Sequence, residues 1–251
     1  MHQMDTLKIY LKCWINLILY YRNIYPATSF ALETFNVFNL PINFPINRNP
    51  ILIDYIENLI QDFLEILKHS QQEHDQNSLD ILNEPAINEP SQSPHGCVFT
   101  LAIVEIDDTP QTSIVSAHVP FEKFVIDFDE FDFSKFTELE HLESSEIFDE
   151  CRESLFGLYQ FCCKLPKLED AKYVFKVFIE HAAVMDESVG NSENWLKINQ
   201  KKNKRLRGEN TLEKTSRQFQ VQKSGLLGID LGEELILYEY YQCTQKKAVH
   251  F

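Results

Sequence analysis

A zinc site in this chain would draw on its six cysteines and eight histidines, and their spacing does not support one. Cys13, Cys97, Cys151, Cys162, Cys163 and Cys243 show no repeated interval. His2, His69, His74, His95, His118, His141, His181 and His250 lie too far apart to complete a zinc set with them. No Gly-x-Ser-x-Gly elbow presents a serine. The run Gly225-Leu-Leu-Gly-Ile-Asp-Leu-Gly232 lacks the Lys-Ser/Thr ending that cradles phosphate. Carboxylates are plentiful, but most fall on helix faces or in acidic loops, where solvation is their ordinary role. The expectation is a chain with no catalytic residues, no metal and no cofactor. An enzyme assembled from residues distant in sequence is the competing reading.

Charge narrows the partners further. A net charge of −15 and a pI near 4.9 would repel a phosphate backbone, because nonspecific nucleic-acid affinity comes from neutralising phosphates with Lys and Arg. No direct DNA binding by the surface as a whole is expected. The one dense basic run, Lys201-Lys-Asn-Lys-Arg-Leu-Arg207, reads either as a nuclear-import signal or as a solvated loop. The acidic stretch 127–143, interleaved with phenylalanines, reads either as an interaction tail or as a solvated strand end leading into a helix. The cysteines read as buried free thiols of a reducing compartment. Lys8, Lys12, Asn16, Arg22 and Asn23 interrupt the first apolar stretch, so neither a signal peptide nor a membrane span is expected from it.

The elements that would position any site follow from periodicity. Residues 7–25 are apolar at nearly every position, and Lys8, Lys12 and Asn16 fall four apart on one narrow stripe, which predicts a helix wrapped on most sides. Pro26 is expected to end it. A second helix opens at Asn49-Pro50, with Leu52, Tyr55, Ile56, Leu59, Ile60, Phe63, Ile66 and Leu67 on one face. Polar composition over 70–96 predicts a flexible insertion. Residues 97–105 and 121–128 read as paired strands, 145–164 as a third helix and 173–184 as a further strand. A polar, basic loop over 186–217 leads to alternating stretches at 218–223 and 234–243. Gly225, Gly228 and Gly232 lie in the connector between those stretches, where a bend or a conformational hinge is expected. A length of 251 fits one domain with long loops.

The residues themselves are similar to a known family. Tyr10-Leu-Lys-Cys-Trp-Ile-Asn-Leu-Ile-Leu-Tyr-Tyr-Arg-Asn-Ile-Tyr-Pro26, Asn39-Leu-Pro41, Pro45-Ile-Asn-Arg48 and Ile51-Leu-Ile-Asp-Tyr-Ile-Glu-Asn-Leu-Ile60 resemble the HORMA-domain accessory subunits of DNA polymerase zeta in their budding-yeast form. The likeness continues through Phe121-Glu-Lys-Phe-Val-Ile-Asp-Phe128, Glu146-Ile-Phe-Asp-Glu-Cys-Arg-Glu-Ser-Leu155 and Leu165-Pro-Lys167. Beyond Tyr173 it rests mainly on Asn194-Trp195 and on strand order.

The resemblance implies an α+β fold, a single HORMA domain over 1–251. A central buried helix and two further helices pack on a mainly antiparallel sheet, and a C-terminal safety belt spans 196–251. It implies a non-catalytic, nuclear adaptor of translesion synthesis whose belt closes over a proline-containing peptide of the polymerase's catalytic subunit. Tyr55 and Trp195 match the family's peptide-lining positions, although periodicity alone turns Tyr55 inward. Relatives contact the deoxycytidyl-transferase scaffold through belt strands, here around Val221, Leu235, Leu237 and Tyr238. Some animal relatives pair as two copies through a basic residue in the third helix, where this chain has Gly157, so self-association stays open. The same resemblance also admits an adaptor role in the spindle checkpoint or on the meiotic axis.

Overall fold

Helix α1 (Gln3–Tyr21) runs through the interior, with Tyr10, Leu11, Ile15, Leu17, Ile18 and Leu19 fully enclosed. The computed structural model describes residues 3–34, 38–80, 97–106, 120–128, 131, 136, 144–168, 172–181, 219–230 and 235–245. The polar stripe of α1 is turned toward its neighbours. Lys8 and Lys12 reach Gln61 and Glu57 of the second helix, and the Lys12 ammonium holds the Glu57 carboxyl below its usual range. Asn16, almost fully buried, donates to the Lys12 carbonyl at 2.8 Å and accepts from the Asn47 amide at 3.2 Å.

Pro26 is not what stops α1. The helix closes at Tyr21, because Asn23 takes a left-handed conformation (φ 56°) and the Asn23 and Ile24 amides turn back to the Tyr20 and Leu19 carbonyls. That is a Schellman cap, with asparagine in the place glycine usually fills. Next comes a hairpin of β1 (Phe30–Thr34) and β2 (Asn43–Asn47), in a segment that also holds Pro41 and Pro45. Helix α2 (Pro50–Asp80) starts where expected, its Asn49 side chain accepting from the Ile51 amide at 3.1 Å. It continues past residue 70 through the first part of the expected insertion. Glutamine, glutamate and histidine lack the apolar face that pays for packing, yet they keep helical backbone geometry, and no Gly or Pro intervenes before Pro85.

The main sheet contains β3 (Cys97–Glu105), β4 (Pro120–Asp127), β5 (Tyr173–His181), β6 (Phe219–Asp230) and β7 (Leu235–Gln245), in the order β5-β3-β4-β7-β6, all antiparallel. Helix α3 (Ser144–Lys164) joins α1 and α2 against it. Trp14 of α1 meets Phe99 and Phe124 edge to face, Phe63 of α2 meets Phe99 and Phe128, and Phe161 of α3 meets Tyr240. The central helix therefore lies beneath β3 and β4, flanked by the other two.

Several expectations need correcting. The connector expected at 224–232 is strand as far as Asp230, so Gly225 and Gly228 lie inside β6; Gly232 lies outside the described residues. The register shifts between Leu226 and Ile229, and a β-carbon on Gly228 would collide with the Ile236 carbonyl oxygen. Close backbone approach at a bulge, rather than a hinge, accounts for that glycine. Phe131 and Phe136 of the acidic stretch are neither tail nor solvated strand end but core, in an aromatic row with Phe128. Cys13, Cys97, Cys151 and Cys162 are buried free thiols, but Cys163 is exposed, because one residue of helix turns the side chain by about 100°. Among the described residues no helix is long and apolar enough to cross a membrane.

One polar contact crosses the whole core. The guanidinium of Arg22 donates from Nε to Glu122 Oε2 at 2.8 Å and from Nη2 to Oε1 at 2.7 Å, and Nη1 donates to the Pro166 carbonyl at 2.9 Å. Both side chains are fully buried. The pair fastens the end of α1 to β4 and to the segment after α3.

Candidate functional site

Of the sheet's two outer strands, β5 is the one where chemistry-bearing side chains gather. Among the described strands it pairs only with β3, over nine registered positions from Cys97↔His181 to Glu105↔Tyr173, without a bulge. Its other edge carries main-chain N–H and C=O groups of the kind that accept an added strand.

The flank of that edge is aromatic. Tyr55 comes from the second turn of α2 and Tyr25 from the segment after the α1 cap. Their rings stand 6.1 Å and 6.2 Å from the ring of Phe175 on β5, at 68° and 71°. Tyr55 remains 46% exposed, although the residues sharing its helix face are buried. It sits where α2 passes the end of the sheet, so its ring leans on Phe175 and leaves one side open. Partial burial raises the Tyr55 hydroxyl above its ordinary pKa; at Tyr25 burial does the same, reinforced by Tyr55 nearby. Both phenols are therefore neutral, and the three rings form an uncharged platform. Val174, 40% exposed, lies at the same end of β5 but on the opposite face of the sheet from Phe175. A platform of this kind suits an extended, proline-bearing chain, whose rings need stacking area and whose backbone needs an edge to pair with.

The remaining candidate residues are distributed differently. Trp195 lies outside the described residues. Val221 occupies β6 opposite Cys243. Leu235 is half-buried, Leu237 is 42% exposed and Tyr238 is buried. Successive strand residues face opposite sides, so Leu237 is available on the outer face while Tyr238 is not. The Tyr238 ring lies 6.2 Å from Tyr10 in the core, where burial raises its pKa well above the ordinary value. Tyr25 and Phe175 escaped the sequence reading. The proline after Tyr25 and the alternation around Phe175 mark only a turn and a strand.

No family model matches the chain. The DNA polymerase zeta processivity subunit of Saccharomyces cerevisiae is 37% identical over 180 residues, which cover 69% of this chain and 56% of that protein. The matched region thus spans little more than half the length of the curated relative. Among solved structures, a chain of the mitotic checkpoint complex superposes with a TM-score of 0.56 at 12% identity, over 96% of this chain and 99% of that one. Caenorhabditis elegans HTP-2 bound to the HIM-3 closure motif gives 0.51 at 10% identity, over 94% and 88%. The chain has the HORMA fold. In this HORMA domain α1 is the helix beneath the sheet, and β6 and β7 form the C-terminal hairpin beside β4. Sequence similarity adds a relative that is an accessory subunit rather than a catalytic one.

Proposed function

We propose that this chain is a non-catalytic adaptor of the translesion DNA polymerase zeta. It holds a proline-containing peptide of the catalytic subunit along β5 and closes its C-terminal belt over it. The observation that carries this reading is the 37% identity to the yeast processivity subunit. The exposed ring of Tyr55 beside an edge with no described partner supports it. Added-strand hydrogen bonds would supply affinity and the tyrosines would supply the choice of proline. The outward residues of the C-terminal hairpin, Leu237 among them, are suited to contact the deoxycytidyl-transferase scaffold, and on this reading the complex acts in DNA damage tolerance and mutagenesis in the nucleus. The checkpoint and meiotic alternatives rest on fold likeness at 10–12% identity, which argues for architecture alone.

The test is co-precipitation of the catalytic subunit with wild type and with a Tyr55→Ala, Trp195→Ala double variant whose fold is verified by circular dichroism. Binding should drop by at least tenfold. Undiminished capture by the folded double variant would remove these residues from the site, and failure of the wild type to capture the subunit would refute the assignment.

A further inference from the structure

A strand lying beside β5 presents alternate side chains to the two faces of the sheet. Its inward positions meet the tyrosine platform. Its outward positions meet a different surface, made by Val174, Lys176, Phe178 and Glu180. Val174, Lys176 and Glu180 are exposed and Phe178 is half-buried, while Tyr173, Phe175, Val177 and Ile179 turn toward the core. The register with β3 places Val104, Ala102, Thr100 and Val98 opposite the four outward residues, so neither charge has a charged neighbour directly across on that side. One strand further, Lys123 lies in the same row as Ala102 and Lys176, and Asp127 in the same row as Val98 and Glu180. Each row therefore repeats its own sign at roughly 9.5 Å, two strand spacings. In-sheet complementation of Lys176 and Glu180 is available only from the side where no described strand lies.

We propose that Lys176 and Glu180 read the charge of the docked peptide. Its outward face would carry an acidic residue opposite Lys176 and a basic residue four positions away opposite Glu180, with an apolar residue between them against Phe178. This rests on β5 being the peptide-binding edge. Directly opposed unlike charges on neighbouring strands stabilise pairing and like charges oppose it, which corresponds to roughly 1.4- to fivefold in affinity per pair. The competing account is that these charges merely keep an exposed edge from pairing with other chains. That account predicts no order in the partner's charges.

A library of random twelve-residue peptides with a fixed central proline, displayed and selected against the full chain, separates the two. The same selection is run against the Lys176→Glu, Glu180→Lys double variant, and peptides are counted when Tyr55→Ala weakens them. Both substitutions are at exposed positions, and circular dichroism checks the fold. Wild type should enrich acidic and basic residues four apart in one order, which also reports whether the strand adds parallel or antiparallel, and the double variant should enrich the reverse order. Enrichment without a charge pair, or with the same order for both proteins, overturns the proposal and leaves the peptide clamp standing. Enrichment of no Tyr55-dependent peptide overturns both.

Discussion

Replacing Glu122 by glutamine is the most direct test of what holds the end of α1 to the sheet. The Arg22 guanidinium would keep its charge, since arginine does not deprotonate in proteins. It would sit at a site where both side chains have no solvent exposure. Glutamine retains one acceptor for the Nε or Nη2 donor, and the bond from Nη1 to the Pro166 carbonyl survives, but the counter-charge is gone. Removing one partner of a buried pair costs about 3–5 kcal/mol, a large share of the roughly 5–15 kcal/mol that holds a domain together. The midpoint of urea unfolding should fall accordingly with little change in slope. An Arg22→Met, Glu122→Leu double variant removes both charges and should recover most of the loss. Tyr240 of β7 packs beside the pair, so its strand should also loosen in the single variant. A single variant within about 1 kcal/mol of wild type, or a double variant costing the sum of the two singles, would refute this account of the pair.

Alkaline stability should fall for a separate reason. Burial pushes the thiols of Cys97, Cys151 and Cys162 up to about 12 from 9.0, and that of Cys13 higher still. The folded state keeps these protons when the unfolded chain has lost them, so stability is intact below pH 9 and declines between 9 and 12, by about 1.4 kcal/mol per unit for each group. Urea midpoints at pH 8, 9 and 10.5 that do not move would contradict this. Among the described cysteines Cys163 should alkylate first under native conditions, with Cys13, Cys97, Cys151 and Cys162 reacting only on unfolding, as peptide mapping would show. Gly228→Ala drives a methyl group into the Ile236 carbonyl and should destabilise by roughly 1–3 kcal/mol in thermal unfolding; an unchanged midpoint would mean the bulge relaxes freely.

What was legible in the residues was whatever a local period encodes. The strands at 97–105 and 121–128 emerge within a residue of where patterning put them, the amphipathic face of α2 is buried as expected apart from Tyr55, and the wrapped helix is present but lies four residues nearer the N-terminus than 7–25. What was not legible depends on contacts far apart in sequence. Arg22 and Glu122 are separated by 100 positions, and each alone reads as an ordinary surface charge. Phe131 and Phe136 are core because Phe128 stands beside them, not because of their acidic neighbours. The hairpin of β1 and β2 hides behind Pro41 and Pro45, which speak against strand locally. Tyr55 shows the limit best. Its period assigns it inward with Leu52, Ile56 and Leu59, and only its half-exposed place beside Phe175 of β5, together with a family likeness, makes it a candidate.

The position of the C-terminal hairpin follows from the same contacts. Strand β7 buries Ile236, Tyr238 and Tyr240 against α1 and α3, with Tyr240 5.0 Å from Phe124 and 4.9 Å from Phe161. Burying an apolar side chain such as Ile236 is worth roughly 1.5–3 kcal/mol, and the two tyrosine rings add aromatic area to the same interface. Lifting β7 would therefore cost a substantial part of the whole domain's stability, so ligand binding should leave the hairpin docked. Native-state hydrogen exchange decides this. The β7 amides at Ile236, Tyr238 and Tyr240 should exchange only with global unfolding, as slowly as those of β4. If they exchange by a subglobal opening several kcal/mol below that limit, the hairpin detaches on its own, and the glycines of β6 regain the hinge role that their place inside a strand argues against.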